Sequence, residues 1–120
     1  MSESIAFNMT LFRELSDELG EADTLEVLKT FLADTANKMK TLQASCGDRG
    51  ILKREAHSIK SSSATFGFHQ LAQLARELER DSETIPAARL QQVIDQIHEA
   101  YEAAARFAHS ELLTGELRTA

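Results

Sequence analysis

The sequence predicts an all-α domain, an antiparallel four-helix bundle with a short additional N-terminal helix. Three observations lead there. One proline, five glycines and no tryptophan leave few breakers in 120 residues, while the supply of Ala, Leu, Glu, Gln and Lys favours helix almost throughout. Apolar residues recur at helical spacing along most of the chain. Between those stretches stand the cap and stop residues expected at helix ends. A chain of this length forms one domain, spanning 1–120, and buries roughly two thirds of its unfolded surface. The helices are expected at about 9–19, 23–45, 48–66, 68–81 and 86–113.

The first helix starts at Asn8 as N-cap, with Phe7 folding back on Phe12 as a hydrophobic staple. Leu11, Leu15 and Leu19 continue one face until Gly20 stops it, which suggests a lid over the end of the bundle. Asp23 and Glu26 form a capping-box pattern for the second helix. Its buried stripe is Leu25, Leu28, Phe31, Leu32, Thr35, Met39 and Leu42, ending near Cys46 and Gly47. Asp48 caps the third helix, and Gly67 offers its break. Leu52, Ala56, Ile59, Ser63 and Phe66 gather on one side of it. Phe68, Leu71, Leu74, Ala75 and Leu78 then make the apolar face of a fourth helix, which the short connection forces back antiparallel. Residues 81–86 form a linker in which Pro86 suits a first helical position. Leu90, Val93, Ile94, Ile97, Tyr101, Ala104, Phe107 and Ala108 mark the closing helix. After Leu113 the pattern fades through Gly115, and Thr119 and Ala120 are expected to fray.

Composition excludes several function classes. Hydrophobic residues at 42% and charged residues at 27% are ordinary for a globular protein. A net charge of −6 argues against nonspecific nucleic-acid binding. With neither a bilayer-length apolar run nor a signal-peptide pattern, the chain is expected to be cytoplasmic and not membrane-bound. The lone cysteine, Cys46, can form no internal disulfide and reads as an ordinary thiol. His69, His98 and His109 carry no metal-ligand spacing; Asp95 and His98 share a face, but no Glu-x-x-His or His-Glu-x-x-His pattern accompanies them. No phosphate-cradling glycine loop is present, so no ATP site is expected.

His57 is the residue that the periodicity singles out. It falls opposite the buried stripe, among Gly50, Lys53, Arg54, Lys60, Ser61 and Ala64. A surface histidine on a helix usually does nothing. Here small residues surround it where long charged ones are usual, Lys60 sits one turn further on, and Ser61-Ser62-Ser63 is a costly run at mid-helix. Asp48–Lys60 also holds four basic residues against two acidic ones, a local excess suited to an acidic partner. If the chain reverses about Phe68, positions 57 and 79 lie level. Glu79 then faces His57, and Arg76, one turn earlier, can point the same way; a merely solvated helix edge is the other reading.

At these residues the sequence resembles the histidine phosphotransfer (HPt) domains of multistep two-component phosphorelays. The family pattern reads here as His57, Lys60, Ser61, Ser62, Ser63 and Gly67, followed by Leu71, Leu74, Leu78 and Glu79. The match runs from Ala56 to Glu79, and the helix layout is compatible over nearly the whole chain. The family's usual glycine after the lysine is Ser61 here, whose hydroxymethyl group can crowd an incoming partner. The resemblance implies that His57 Nε2 accepts a phosphoryl group from a receiver-domain phospho-aspartate and passes it to another receiver. Lys60 would counter the phosphoryl charge, and Glu79 would hydrogen-bond and orient the ring.

Lys53, Arg54, Ser61, Ala64 and Arg76 are the expected docking residues, with the first and second helices widening the surface. The implied partners are receiver domains of response regulators and hybrid sensor kinases, which would bring the Mg2+ and the acidic pocket; the domain needs no cofactor or metal of its own, is no enzyme, and is expected to be monomeric. Imidazole, with a reference pKa of about 6.5, keeps a lone pair near neutral pH and needs no dedicated base. Two competing readings are a structural adaptor that docks partners without being phosphorylated, and an HPt-like domain that has lost transfer, for which Ser61 is the hint.

Overall fold

The structure, a computed structural model, describes residues 6–45 and 47–113. The expectations for Cys46, Gly115, Thr119 and Ala120 lie outside the described residues. Five α-helices are present among them: α1 Met9–Leu19, α2 Glu21–Ala44, α3 Arg49–Phe66, α4 His69–Asp81 and α5 Ala87–Phe107, the last continued by one π-helical turn, Ala108–Leu112. Helix α2 packs on α3, α3 on α4, α4 on α5 and α5 back on α2, which closes the four-helix bundle; α1 lies against α2 and α3.

Local capping chemistry explains most helix ends. The Asn8 and Asp48 side chains accept from the amides of Leu11 and Ile51, satisfying donors that a helix start leaves open. Gly67 ends α3 in the left-handed conformation, φ 88°, and its amide bonds back to the Ala64 carbonyl. A side chain is excluded there twice over, since a Cβ would also come within 2.9 Å of the Asn8 carbonyl oxygen.

The start of α2 departs from the capping box expected at Asp23. Gly20, at φ 89°, closes α1 by donating to Ser16 O and caps α2 with its own carbonyl, which accepts from both the amide and the hydroxyl of Thr24. A one-residue turn suffices, so the helix begins at Glu21 and Asp23 lies inside its first turn, where a carboxylate complements the helix dipole. Leu19, expected on the buried face of α1, is 43% exposed; Phe12 is buried in its place. Helix α5 stops short of the expected 113. The chain widens into the π-turn, in which Leu113 N bonds Ala108 O, and Leu113 enters the core. Pro86 caps α5 from just outside it.

The core follows the stripes read for α2 to α5, with α3 contributing Leu52, Ala56, Ile59, Ser63 and Phe66; Leu74, Tyr101 and Phe107 are only partly buried against it, and Ile85 and Leu113 join it. All six phenylalanines join one cluster at the end of the bundle where α3 turns into α4. Phe7 packs on Phe12, Phe68 and Phe107, and Phe31 on Phe66 and Phe68, with ring centroids 4.8–5.8 Å apart. Backbone bonds from Asn8 N to Gly67 O and from His69 N to Ala6 O tie the segment before α1 to that turn. The α3–α4 hairpin is thereby fixed at its tip, and this sets the register of the residues facing each other along it. At the far end of α4, Arg49 Nη1 donates to the carbonyls of Ser82 and Ile85.

Candidate functional site

With the hairpin held at Gly67 and Phe68, His57 on α3 and Glu79 on α4 meet across the groove. His57 Nδ1 lies 2.8 Å from Glu79 Oε2, and Lys60 Nζ lies 2.9 Å from Glu79 Oε1. One carboxylate therefore holds both cross-helix partners, one on each oxygen. Hydrogen bonds from Lys60 first and His57 second keep the Glu79 carboxyl below its ordinary range, against the opposing effect of burial. An ionised carboxylate only accepts, so the ring nitrogen facing it carries a proton, and in the neutral ring the lone pair is then on Nε2. The His57 side chain is 59% exposed and that of Glu79 is 22% exposed.

Lys60, which falls on the solvated side of α3 by its spacing, is not a free surface lysine. Its side chain is only 32% exposed and is committed to Glu79. Two adjoining grooves run along the α3–α4 seam. Lys60, Ser61, Ala64, His69, Ala72, Gln73 and Arg76 line one. Lys53, Lys60, Gln73, Arg76, Glu79 and Arg80 line the other. Lys53, Ser61, Ala64 and Arg76 are thus brought to the seam beside His57, Lys60 and Glu79. Arg54 is exposed on α3 and lines neither groove.

The basic excess of Asp48–Lys60 presented at the seam is smaller than a residue count suggests, because the Arg49 guanidinium is held at the α4–α5 connection and Lys60 is paired with Glu79. Sequence reasoning missed Gln73 and Arg80 as groove residues; their place one turn to either side of Arg76 on α4 was the available clue. It expected α1 to widen the docking surface but named no residues of it there. Leu11, Glu14, Leu15, Asp17 and Glu18 form an acidic-edged groove that meets α3 at Ala64 and Thr65. Among the described residues no group of three or more His, Cys, Asp or Glu is disposed to hold a metal ion, and no helix is long and apolar enough to cross a membrane.

No curated protein matches the sequence. Among solved structures the chain is similar to histidine-containing phosphotransfer protein B (HptB) from Pseudomonas aeruginosa PAO1, with a TM-score of 0.83 and 24% identity over 93% of this chain and 98% of that one. This likeness shows the fold. The Hpt domain family model matches residues 26–110, a span that holds the exposed imidazole, its carboxylate and both helices of the hairpin. The chain belongs to the Hpt domain family and is a histidine phosphotransfer intermediate of two-component signalling.

Proposed function

We propose that His57 is the phosphoacceptor, that Glu79 orients its ring, and that Lys60 offsets charge on the phosphoryl oxygens. The observation that carries this reading is the 2.8 Å contact between His57 Nδ1 and Glu79 Oε2 on a ring that is still 59% exposed. In the transfer, the Nε2 lone pair attacks the phosphorus of a receiver's aspartyl phosphate. The N–P bond forms as the P–O bond to the aspartyl group breaks, and that electron pair stays on the carboxylate oxygen. The Nδ1 proton stays between the ring and Glu79, which stabilises the cationic ring produced by the attack. Reversal of the same step onto the aspartate of a second receiver discharges the domain.

The approaching receiver docks over the α3–α4 seam, with Lys53, Arg54, Ser61, Ala64 and Arg76 at the contact, and supplies the Mg2+ and acidic pocket that in-line transfer requires. The domain works as a cytoplasmic monomer without an ATP or kinase site of its own. Incubation with phosphorylated receiver domains tests the assignment: acid-labile, base-stable label is expected on the wild type and lost in His57→Gln. Label surviving in that variant places the acceptor elsewhere. Binding without label from competent receivers assigns the domain as an adaptor.

A further inference from the structure

The hydroxyl groups of α3 are unequally used. Ser62 Oγ bonds back to Ser58 O at 3.0 Å and Thr65 Oγ1 to Ser61 O at 3.0 Å, the ordinary sink for a hydroxyl in a helix. Ser63 Oγ is buried in the core. Ser61 is exposed, and among the described residues its hydroxyl has no partner. It stands one turn after His57 on the same helix face, where side chains three and four apart are neighbours. The Cα–Cβ bonds of a helix tilt toward its N-terminus, so the Ser61 side chain leans toward the turn that carries the ring. It lines the same groove as Lys60, Ala64 and Arg76. The nearest cation along the helix, Lys60, is already held 2.9 Å from Glu79 Oε1, and the Ser61 O–H is an uncommitted neutral donor on the ring's own face of the helix.

We propose that the Ser61 hydroxyl donates a hydrogen bond to a terminal oxygen of a phosphoryl group on His57 Nε2 and thereby lengthens the time for which the domain stays phosphorylated. The proposal rests on His57 being the phosphoacceptor. In the competing hydrolysis, a water oxygen adds to phosphorus, the N–P bond breaks with its electron pair returning to Nε2, and the water proton leaves with the phosphate and solvent. The transition state of such a step is loose and metaphosphate-like, with less charge on the terminal oxygens than in the phosphorylated ring. A donor on those oxygens therefore stabilises the loaded state more than the transition state. Ser61 is in this sense a positioning and retention residue, and it acts on the group in transit without taking part in bond making.

The test compares wild type with Ser61→Ala, Ser61→Gly and Ser61→Thr. Each is loaded from a phosphorylated receiver domain, separated from it, and followed by phosphorus NMR as label is lost, both under native conditions and in denaturing urea. Ser61→Ala and Ser61→Gly are expected to shorten the native lifetime about three- to tenfold, the range of one ordinary solvent-exposed hydrogen bond. Ser61→Thr, which keeps the hydroxyl, is expected to retain it, and all four proteins should decay alike in urea. A native Ser61→Ala lifetime equal to wild type overturns the proposal, as does a Ser61→Thr lifetime as short as that of Ser61→Ala. Both results leave the phosphoacceptor assignment standing. Wild-type protein that takes no label, or label that survives His57→Gln, removes that assignment and the proposal together.

Discussion

At the scale of single residues the site is one carboxylate shared between an imidazole and an ammonium. Lys60 is pinned by Glu79 at 2.9 Å, and its ammonium has further N–H donors with which it could meet a phosphoryl dianion. Lys60→Ala is expected to slow loading of the domain about tenfold with little change in melting temperature, measured by rapid quench against a phosphorylated receiver; equal rates would remove Lys60 from the reaction. Glu79 makes a second prediction through its titration. Its carboxyl is held below the ordinary value of 4.5 in the folded protein, so the stability it contributes is fully present above that value and is lost as pH falls through the lower folded value. Urea unfolding across that acidic window should therefore show wild-type stability falling more steeply than that of Glu79→Gln. Parallel curves would mean that the carboxylate does not distinguish the folded from the unfolded state. The pairing of positions 57 and 79 was legible in the sequence because a tight turn about Phe68 makes the register a matter of counting. The commitment of Lys60 was not, since a lysine on that face can equally extend into solvent.

At the scale of helices and turns, the features that were legible are those whose chemistry is local. Asn8, Asp48 and Gly67 do what their residue types do at helix ends, and the α3 stripe is buried as its spacing requires. The features that were not legible depend on distant partners or on a backbone conformation. Arg49 reads as surface charge, yet its partners lie 33 and 36 residues further on. The capping box at Asp23 lost to Gly20, whose positive φ starts α2 earlier. Gly67 tests how much the hairpin depends on its tip. Gly67→Ala places a Cβ at φ 88° and 2.9 Å from Asn8 O. The left-handed backbone alone costs about 1–2 kcal/mol, and the contact also drives the N-terminal segment off the turn. A fall in melting temperature of about 4–8 °C is expected, with loss of slow hydrogen exchange at the amides of Asn8 and His69, which bond across that junction. Unchanged protection at those two amides would show that the junction is not maintained in solution.

For the whole molecule, the question is how an acidic protein presents a cationic face to a phosphorylated partner. The net charge of −6 is not spread evenly. Glu14, Asp17 and Glu18 edge the groove on the α1 side of α3, while Lys53 and Arg76 lie along the α3–α4 seam. With Lys60 neutralised by Glu79 and Arg80 by Asp81, Arg76 is the seam cation that pairs with no side chain among the described residues. A partner of net negative charge would be repelled by this protein's net charge at long range and attracted by the seam within roughly one Debye length, about 10 Å at 0.1 M salt. Arg76→Gln is expected to slow association with a phospho-receiver about three- to tenfold at low ionic strength. The deficit should shrink as salt approaches 1 M, where the screening length falls to about 3 Å, and the melting temperature should not move because the side chain is exposed. The informative measurement is the association rate as a function of salt for wild type and variant. Two curves that converge assign Arg76 to steering. Curves that stay parallel at every salt concentration assign it to short-range contact in the docked complex, and coincident curves remove the seam from the path of approach.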